Sequence, residues 1–202
     1  GTALANRGRM DEALAAFQEA VKTDPDLTRA SVGLSQMHAL KGDAKQALDI
    51  LDAALLRKPD SAEAWIAKGL IMAATRRSEE AEKALEKANA NAGQLTLEQR
   101  AKLLTTLTSA KLQRGDVEAA KKLHESLVSL SGQAPVARMV AAQIAVASKD
   151  YMAANAELQT LVRDLPDYVP ARILLGQVLI QQERFEQAEA QLNQAVAKAP
   201  QN

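Results

Sequence analysis

The chain has 202 residues, and its 25 basic and 25 acidic side chains cancel to a formal charge of zero, with no cysteine. A neutral balance offers no clustered positive charge to nucleic acid or an anionic membrane, and the missing thiols exclude disulfides and thiolate metal sites. Hydrophobic residues make up 47% of the sequence, which argues against disorder, yet aromatics are only 2% while 41 residues are alanine, the makings of closely packed helices. No window reaches the roughly 18 consecutive apolar residues of a membrane span, and no charged-then-apolar signal segment opens the sequence.

From the amino terminus, a stub ends at Arg7-Gly8 and a helix is predicted over 10–23, closed by Asp24-Pro25-Asp26. Helices over 27–40 and 44–57 flank the turn Lys41-Gly42-Asp43, and Lys58-Pro59-Asp60-Ser61 ends the pair. Helices over 61–74 and 78–91 follow, with Arg76 where a turn glycine is expected. Thr96 and Gln99, at capping-box spacing, open a longer helix over 97–113, and Arg114-Gly115-Asp116 leads into one over 116–129. Helices over 133–147 and 151–163 flank Lys149-Asp150 and end at Leu165-Pro166-Asp167. The last pair spans 167–181 and 185–198, before Pro200. Glycine ends the first helix of a pair, proline stops the second, and the Asp or Ser after it is expected to cap the next.

The prolines set a period. Pro25 and Pro59 are 34 apart, as are Pro166 and Pro200, and the 107 between Pro59 and Pro166 is three times 34 plus 5. Gly93 and Gly132 stand where the two missing prolines belong, which divides the chain into units of about 1–27, 28–61, 62–100, 101–134, 135–168 and 169–202. A period of this length marks a solenoid of stacked repeats. The surplus five residues lie around Ala92–Gln99 and are expected to shift the stacking of the two halves; they read as a tolerated loop insertion, the alternative being a local ledge for a partner.

Other positions lock to the frame. Ala13, Ala47, Ala81, Ala120, Ala154 and Ala188 recur twelve residues before each mark. Phe17, Leu51, Leu85, His124, Leu158 and Leu192, then Ala20, Ala54, Ala88, Leu127, Leu161 and Ala195, complete one face at i, i+4, i+7. Ser35, Gly69, Thr108, Ala142 and Gly176 are the small residues that let paired helices touch. With Ala64-Trp65 and Leu175-Gly176, these residues resemble the tetratricopeptide repeat (TPR), whose pattern has Trp and Leu-Gly early, Ala and an aromatic or Leu midway, then Ala and Pro. The resemblance covers essentially the whole chain and implies an all-α, right-handed TPR superhelical solenoid of antiparallel helix pairs. Lys68 for the usual Leu, Arg76 for the turn Gly and His124 for the aromatic depart from it. Both ends look cut, so the reading is an internal stretch of a longer array, in which Phe185, Leu192 and Val196 of the last helix would drive end-to-end self-association.

Carriers of catalysis are missing: no phosphate-binding glycine loop, no His-Glu-x-x-His, no glycine-framed serine. His38 and His124 fall at different repeat positions and read as packed structural residues; no catalytic residue, cofactor or metal is expected. Arg114-Gly115-Asp116 spells an integrin-recognition tripeptide, but its Gly-Asp is explained by the interhelix turn. The acids Asp24, Asp26, Asp164 and Asp167 flank helix-ending prolines, where capping and solvation account for them.

The TPR resemblance implies one functional surface, the concave face lined by the first helices, where an extended protein or peptide segment binds. Carried over position by position, that groove comprises Val32 and Gln36, Ile66 and Leu70, Thr105 and Ser109, Met139 and Gln143, and Ile173 and Gln177. Flanking positions add Arg29, Ala39, Glu63, Ala73, Lys102, Leu112, Val136, Val146, Pro170 and Ile180. Aliphatic side chains beside amides or hydroxyls suit apolar contact plus hydrogen bonds to a peptide backbone. The Lys and Asn clamp with which other TPRs grip chaperone tails is broken by Val32 with Gln36 and Ile66 with Leu70. The competing reading is that these side chains only fill a tight superhelix interior.

A narrower resemblance rests on Lys149-Asp150-Tyr151, Leu165-Pro166-Asp167-Tyr168-Val169-Pro170-Ala171 and Phe185-Glu186-Gln187-Ala188-Glu189. These look like the TPR lipoproteins of bacterial exosortase/PEP-CTERM exopolysaccharide systems, which implies a periplasmic scaffold lipid-anchored through a segment upstream; the alternative compartment is the cytoplasm. Three functions follow from these readings: a non-catalytic interaction scaffold, a structural spacer in an export complex, or an array appended to a catalytic domain. Sugar binding is disfavoured because the five aromatics do not line up at one groove position.

Overall fold

The computed structural model describes residues 9–198. Among them eleven α-helices alternate as the breakers predict: α1 (Met10–Thr23), α2 (Thr28–Leu40), α3 (Ala44–Arg57), α4 (Ala62–Ala74), α5 (Ser78–Ala90), α6 (Leu97–Gln113), α7 (Val117–Ser131), α8 (Pro135–Ala147), α9 (Tyr151–Asp164), α10 (Val169–Gln181) and α11 (Phe185–Lys198). No strand occurs among the described residues. The expected stub and Arg7-Gly8 turn, and Pro200, lie outside the described residues.

Five interhelix turns share one geometry, set by a single residue in the left-handed region. It is Gly42 (φ 85°) and Gly115 (φ 75°) in two of them, but Arg76 (φ 62°), Lys149 (φ 60°) and Glu183 (φ 59°) in the others. Each turn closes with two N–H donations to the last turn of the preceding helix. In the first, Gly42 donates to the Ala39 carbonyl at 3.0 Å and Asp43 to that of His38 at 2.9 Å; in the last, Glu183 donates to Ile180 at 3.0 Å and Arg184 to Leu179 at 2.9 Å. These bonds hold side chains that would otherwise avoid the conformation.

Helix starts are capped where an Asp or Ser stands one residue before the first turn. Asp43 accepts from the N–H of Gln46 at 3.0 Å, Ser61 from Ala64 at 3.3 Å, Asp116 from Ala119 at 3.1 Å and Asp150 from Ala153 at 3.0 Å. Caps of this kind stabilise by about 1 kcal/mol each. Two expected caps fail. α2 and α10 start late enough that Leu27 and Tyr168 occupy the cap positions, neither with a side-chain bond. Asp26 instead donates its N–H to Asp24 at 3.0 Å, and Asp167 pairs with Lys198. The surplus segment forms a short 3-10 turn, Ala92–Gln94, followed by the predicted capping box, in which Thr96 N–H donates to Gln99 Oε1 at 2.9 Å and Gln99 N–H to Thr96 Oγ1 at 3.2 Å. Gly132 stands in place of a proline because its φ of 61° with ψ of −144° suits no other residue.

The chain divides into two units, Gly1–Leu103 and Leu104–Asn202. In the first, α2 packs on α1, α3 and α4, while α4 packs on α3 and α5. In the second, α7 to α10 each pack on the helix that follows. The six frame alanines, from Ala13 to Ala188, are all buried where paired helices meet. One core gathers Ala47, Leu51, Leu55, Ala64, Ala67 and Ile71; that of the second unit gathers Leu158, Leu161, Leu175, Val178 and Leu179 with small partners. A Cβ on Gly69 would lie 2.8 Å from Leu85 Cγ, and one on Gly176 2.7 Å from Leu192 Cγ, so only glycine permits those contacts. Gly33, outside the expected small-residue series, has the same role: a Cβ there would meet the Phe17 ring at 2.4 Å.

The departures from the repeat pattern are accommodated. Lys68 runs its stem past the Trp65 ring, its Nζ 5.3 Å from the ring centroid, and ends on Asp52. His124, half-buried, sets Nε2 3.1 Å from the Ala137 carbonyl, an acceptor that fixes this nitrogen as the donor.

Candidate functional site

The groove positions predicted from the repeat frame lie on the first helix of each pair. In the first unit Val32 and Gln36 come from α2 and Ile66 and Leu70 from α4, two helices in direct contact. Gln36 is exposed and Leu70 is 39% exposed, whereas Val32 is half-buried and leans on the core of that unit. Beside them, Arg29 Nη2 lies 3.4 Å from Glu63 Oε1, and the same oxygen accepts from Gln99 Nε2 at 3.1 Å. This rim is therefore internally neutralised.

In the second unit Thr105 and Ser109 of α6 are half-buried, as are Met139 and Gln143 of α8. Met139 and Val146 pack partly against the core, so part of their apolar surface is structural. α10 differs: Ile173 is 39% and Ile180 42% exposed, with the exposed amide of Gln177 between them. Three aliphatic side chains, Leu70, Ile173 and Ile180, thus remain in water although the helices that carry them bury their other faces.

One hollow opens among these residues in the second unit. Val146 at the end of α8, Tyr151 at the start of α9, and Gln177, Val178 and Gln181 of α10 enclose ≈ 440 Å³. Tyr151 was not a predicted groove residue; only its proximity in space to the end of α8 brings it there. Gln143 Oε1 is shielded from solvent and has no hydrogen-bond donor.

Two other hollows lie in the first unit and are lined by charged groups. One, ≈ 440 Å³, is bounded by Asp26, Arg29, Lys58, Asp60 and Glu63; the other, ≈ 420 Å³, contains the ion pairs Lys45–Asp49, Lys68–Asp52 and Arg77–Glu80. Exposed pairs of this kind contribute roughly 0–1 kcal/mol each. Among the described residues, no group of three or more His, Asp or Glu side chains is placed to hold a metal, and no helix is long and apolar enough to cross a membrane. His38 and His124 sit in separate local contacts, His38 Nδ1 being 3.9 Å from Asp43. Asp116, in the integrin-like tripeptide, is engaged as the cap of α7.

A second set of polar side chains went unrecognised in the sequence. The fourth residue of the unit donates to a carbonyl in the turn that follows the preceding helix: Trp65 Nε1 to Pro59 at 2.8 Å, Arg172 Nε to Pro166 at 2.9 Å and Arg138 Nε to Gln133 at 3.2 Å. Arg172 is only 7% exposed and also donates from Nη1 to Gln191 at 2.9 Å and Gln194 at 2.6 Å. These bonds latch each first helix to the turn before it, and Arg172 also ties α10 to α11. The shared repeat position was the available signal, hidden because two unlike residue types, Trp and Arg, fill it.

The comparisons with known proteins agree with this architecture. No curated protein matches the sequence. Among solved structures, PilW, described as a widely conserved type IV pilus biogenesis factor, superposes with a TM-score of 0.81 at 18% identity, covering 100% of this chain and 91% of its own. Pseudomonas aeruginosa pilF gives 0.79 at 20% identity, covering 100% and 90%. YrrB, described as a TPR protein with an unusual peptide-binding site, gives 0.69 at 18%, covering 94% and 95%. At these identities the likeness concerns the fold. A tetratricopeptide repeat family model matches residues 4–71 and 145–202, and a second matches 62–91. With more than half of its length matched, and with helix pairs, buried alanines and small contact residues in register, the chain belongs to the tetratricopeptide repeat family.

Proposed function

We propose that this protein is a non-catalytic interaction scaffold whose first helices bind an extended segment of a partner protein. The observation that carries the reading is the exposure of Leu70, Ile173 and Ile180 beside the amides Gln36 and Gln177. Apolar surface left in water on the first helices of each unit is the kind of surface a partner covers, and the neighbouring amides can pair with its backbone. YrrB, a structural relative, is described as having a peptide-binding site, which supports the class of partner. The setting we assign is envelope assembly: residues 149–189 resemble exopolysaccharide-system TPR lipoproteins, and one structural relative, PilW, is described as a type IV pilus biogenesis factor. A periplasmic location with a lipid anchor belongs to this proposal.

The test is capture of partners from the source organism on the immobilised protein and on a variant carrying Leu70→Asp, Ile173→Asp and Ile180→Asp. Val32 and Met139 are left unchanged because both lean on the cores. A partner retained by the parent and lost from a variant of unchanged helicity supports the scaffold. Identical captures from both would remove the groove from the account and favour the spacer.

A further inference from the structure

The hollow in the second unit deepens the proposed reading and rests on it. We propose that the space among Val146, Tyr151, Gln177, Val178 and Gln181 is the specificity-determining subsite of the groove, taking an uncharged aliphatic side chain from an extended partner segment that carries no charge around it.

Charge is the first ground. In the second unit the groove positions on α8 and α10 are Val136, Met139, Gln143, Val146, Pro170, Ile173, Gln177 and Ile180, without one ionisable group. The hollow adds Tyr151, Val178 and Gln181. A charged side chain entering here would lose hydration with no counter-ion to replace it, whereas an aliphatic one would lose only its water. The hollows of the first unit have the opposite character, being lined by acids and bases. The five residues that line this hollow carry no charge.

Hydrogen bonding is the second ground. Gln177 and Gln181 are four residues apart, so both amides stand on one side of α10 at the mouth, and both are exposed. Each offers a donor and an acceptor, the pair of groups that a peptide unit of an extended strand requires. In an extended segment alternate side chains point to opposite sides, so one aliphatic residue enters the hollow while its neighbours stay in water.

The test uses three fluorescein-labelled peptides of twelve residues: alternating Ser-Leu, alternating Ser-Asp and alternating Ser-Lys. Anisotropy is followed with the parent, Gln177→Glu, Ile173→Asp and Leu56→Asp, the last an exposed residue outside the groove, each checked for helicity. The expected result is that only Ser-Leu binds, with affinity changing less than about twofold between low and high salt. Gln177→Glu should weaken it about tenfold or more, by placing a charge at the mouth, and Leu56→Asp should not. Binding of Ser-Asp or Ser-Lys that Ile173→Asp abolishes would overturn the neutral subsite and leave the groove standing. Ser-Leu binding lost in Ile173→Asp but kept by Gln177→Glu would overturn the hollow alone. No binding of any peptide would overturn the subsite, and if partner capture also ignores the groove variant, the groove reading falls with it.

Discussion

Gly69 and Gly176 occupy the same repeat position, and replacing each with alanine separates helix propensity from packing. In an open helix the change would stabilise by about 1 kcal/mol. At Gly69 the new methyl would stand 2.8 Å from Leu85 Cγ, 2.9 Å from its Cδ2 and 3.1 Å from the backbone carbonyl of Ala81. Leu85 is buried and the carbonyl is fixed in α5, so neither can retreat, and overpacking costs about 1–3 kcal/mol. At Gly176 the clash is with Leu192 alone, 2.7 Å to both Cγ and Cδ2, and Leu192 is only half-buried, free to swing outward. Gly69→Ala should therefore destabilise by up to about 2 kcal/mol, while Gly176→Ala should lie within about 1 kcal/mol of the parent. Urea denaturation followed by circular dichroism, with amide exchange in α4 and α10 to localise the effect, measures both. A Gly69→Ala protein stabilised by the full propensity gain would refute the helix contact described here.

Leu158→Ala, at a fully buried site of the second core, should cost about 2–5 kcal/mol in the same denaturation assay. Arg172→Ala should cost about 1–3 kcal/mol and raise amide exchange at the ends of α9 and α10, because the Pro166 carbonyl and two glutamine side chains lose their donor. Lys149→Gly should stabilise by about 1 kcal/mol, since glycine accepts the left-handed turn without strain. The hydrogen bonds from Lys41 to Asp11, from Arg77 to Glu80 and from Lys198 to Asp167 hold these exposed carboxyls below their ordinary values of 3.8, 4.5 and 3.8. Their small contribution is complete above those values and is lost as pH falls through the lower folded-state ones. Stability measured from pH 5 down to pH 2 should fall, and added salt should flatten the fall.

Helix order was legible because proline, glycine and the alanine positions are local signals that act through the backbone. What lay beyond them needed contacts. Asp26 and Asp167 look as good as Ser61 for capping, but the choice depends on where the first hydrogen-bonded turn begins, a matter of one residue. Gly33 belongs to no spacing that recurs along the chain; it is explained by Phe17 of the unit before. Arg172 replaces the Trp of the repeat pattern and does the same hydrogen-bonding work with a different side chain. The frame identified which residues lie on the first helices, yet it could not separate Val32 and Met139, which lean on the cores, from Leu70, Ile173 and Ile180, which do not. That difference is a property of neighbouring helices, as is the hollow at Tyr151.

The measurement that bears most directly on the scaffold is the affinity of a captured partner for three forms of the protein: the parent, the Leu70→Asp, Ile173→Asp, Ile180→Asp variant, and Leu56→Asp. Leu56 is 85% exposed and lies on α3, a second helix, so it controls for apolar surface as such. Binding lost in the triple variant and unchanged in Leu56→Asp is the predicted result. Equal binding by all three, or loss only in Leu56→Asp, would contradict partner binding through the first helices.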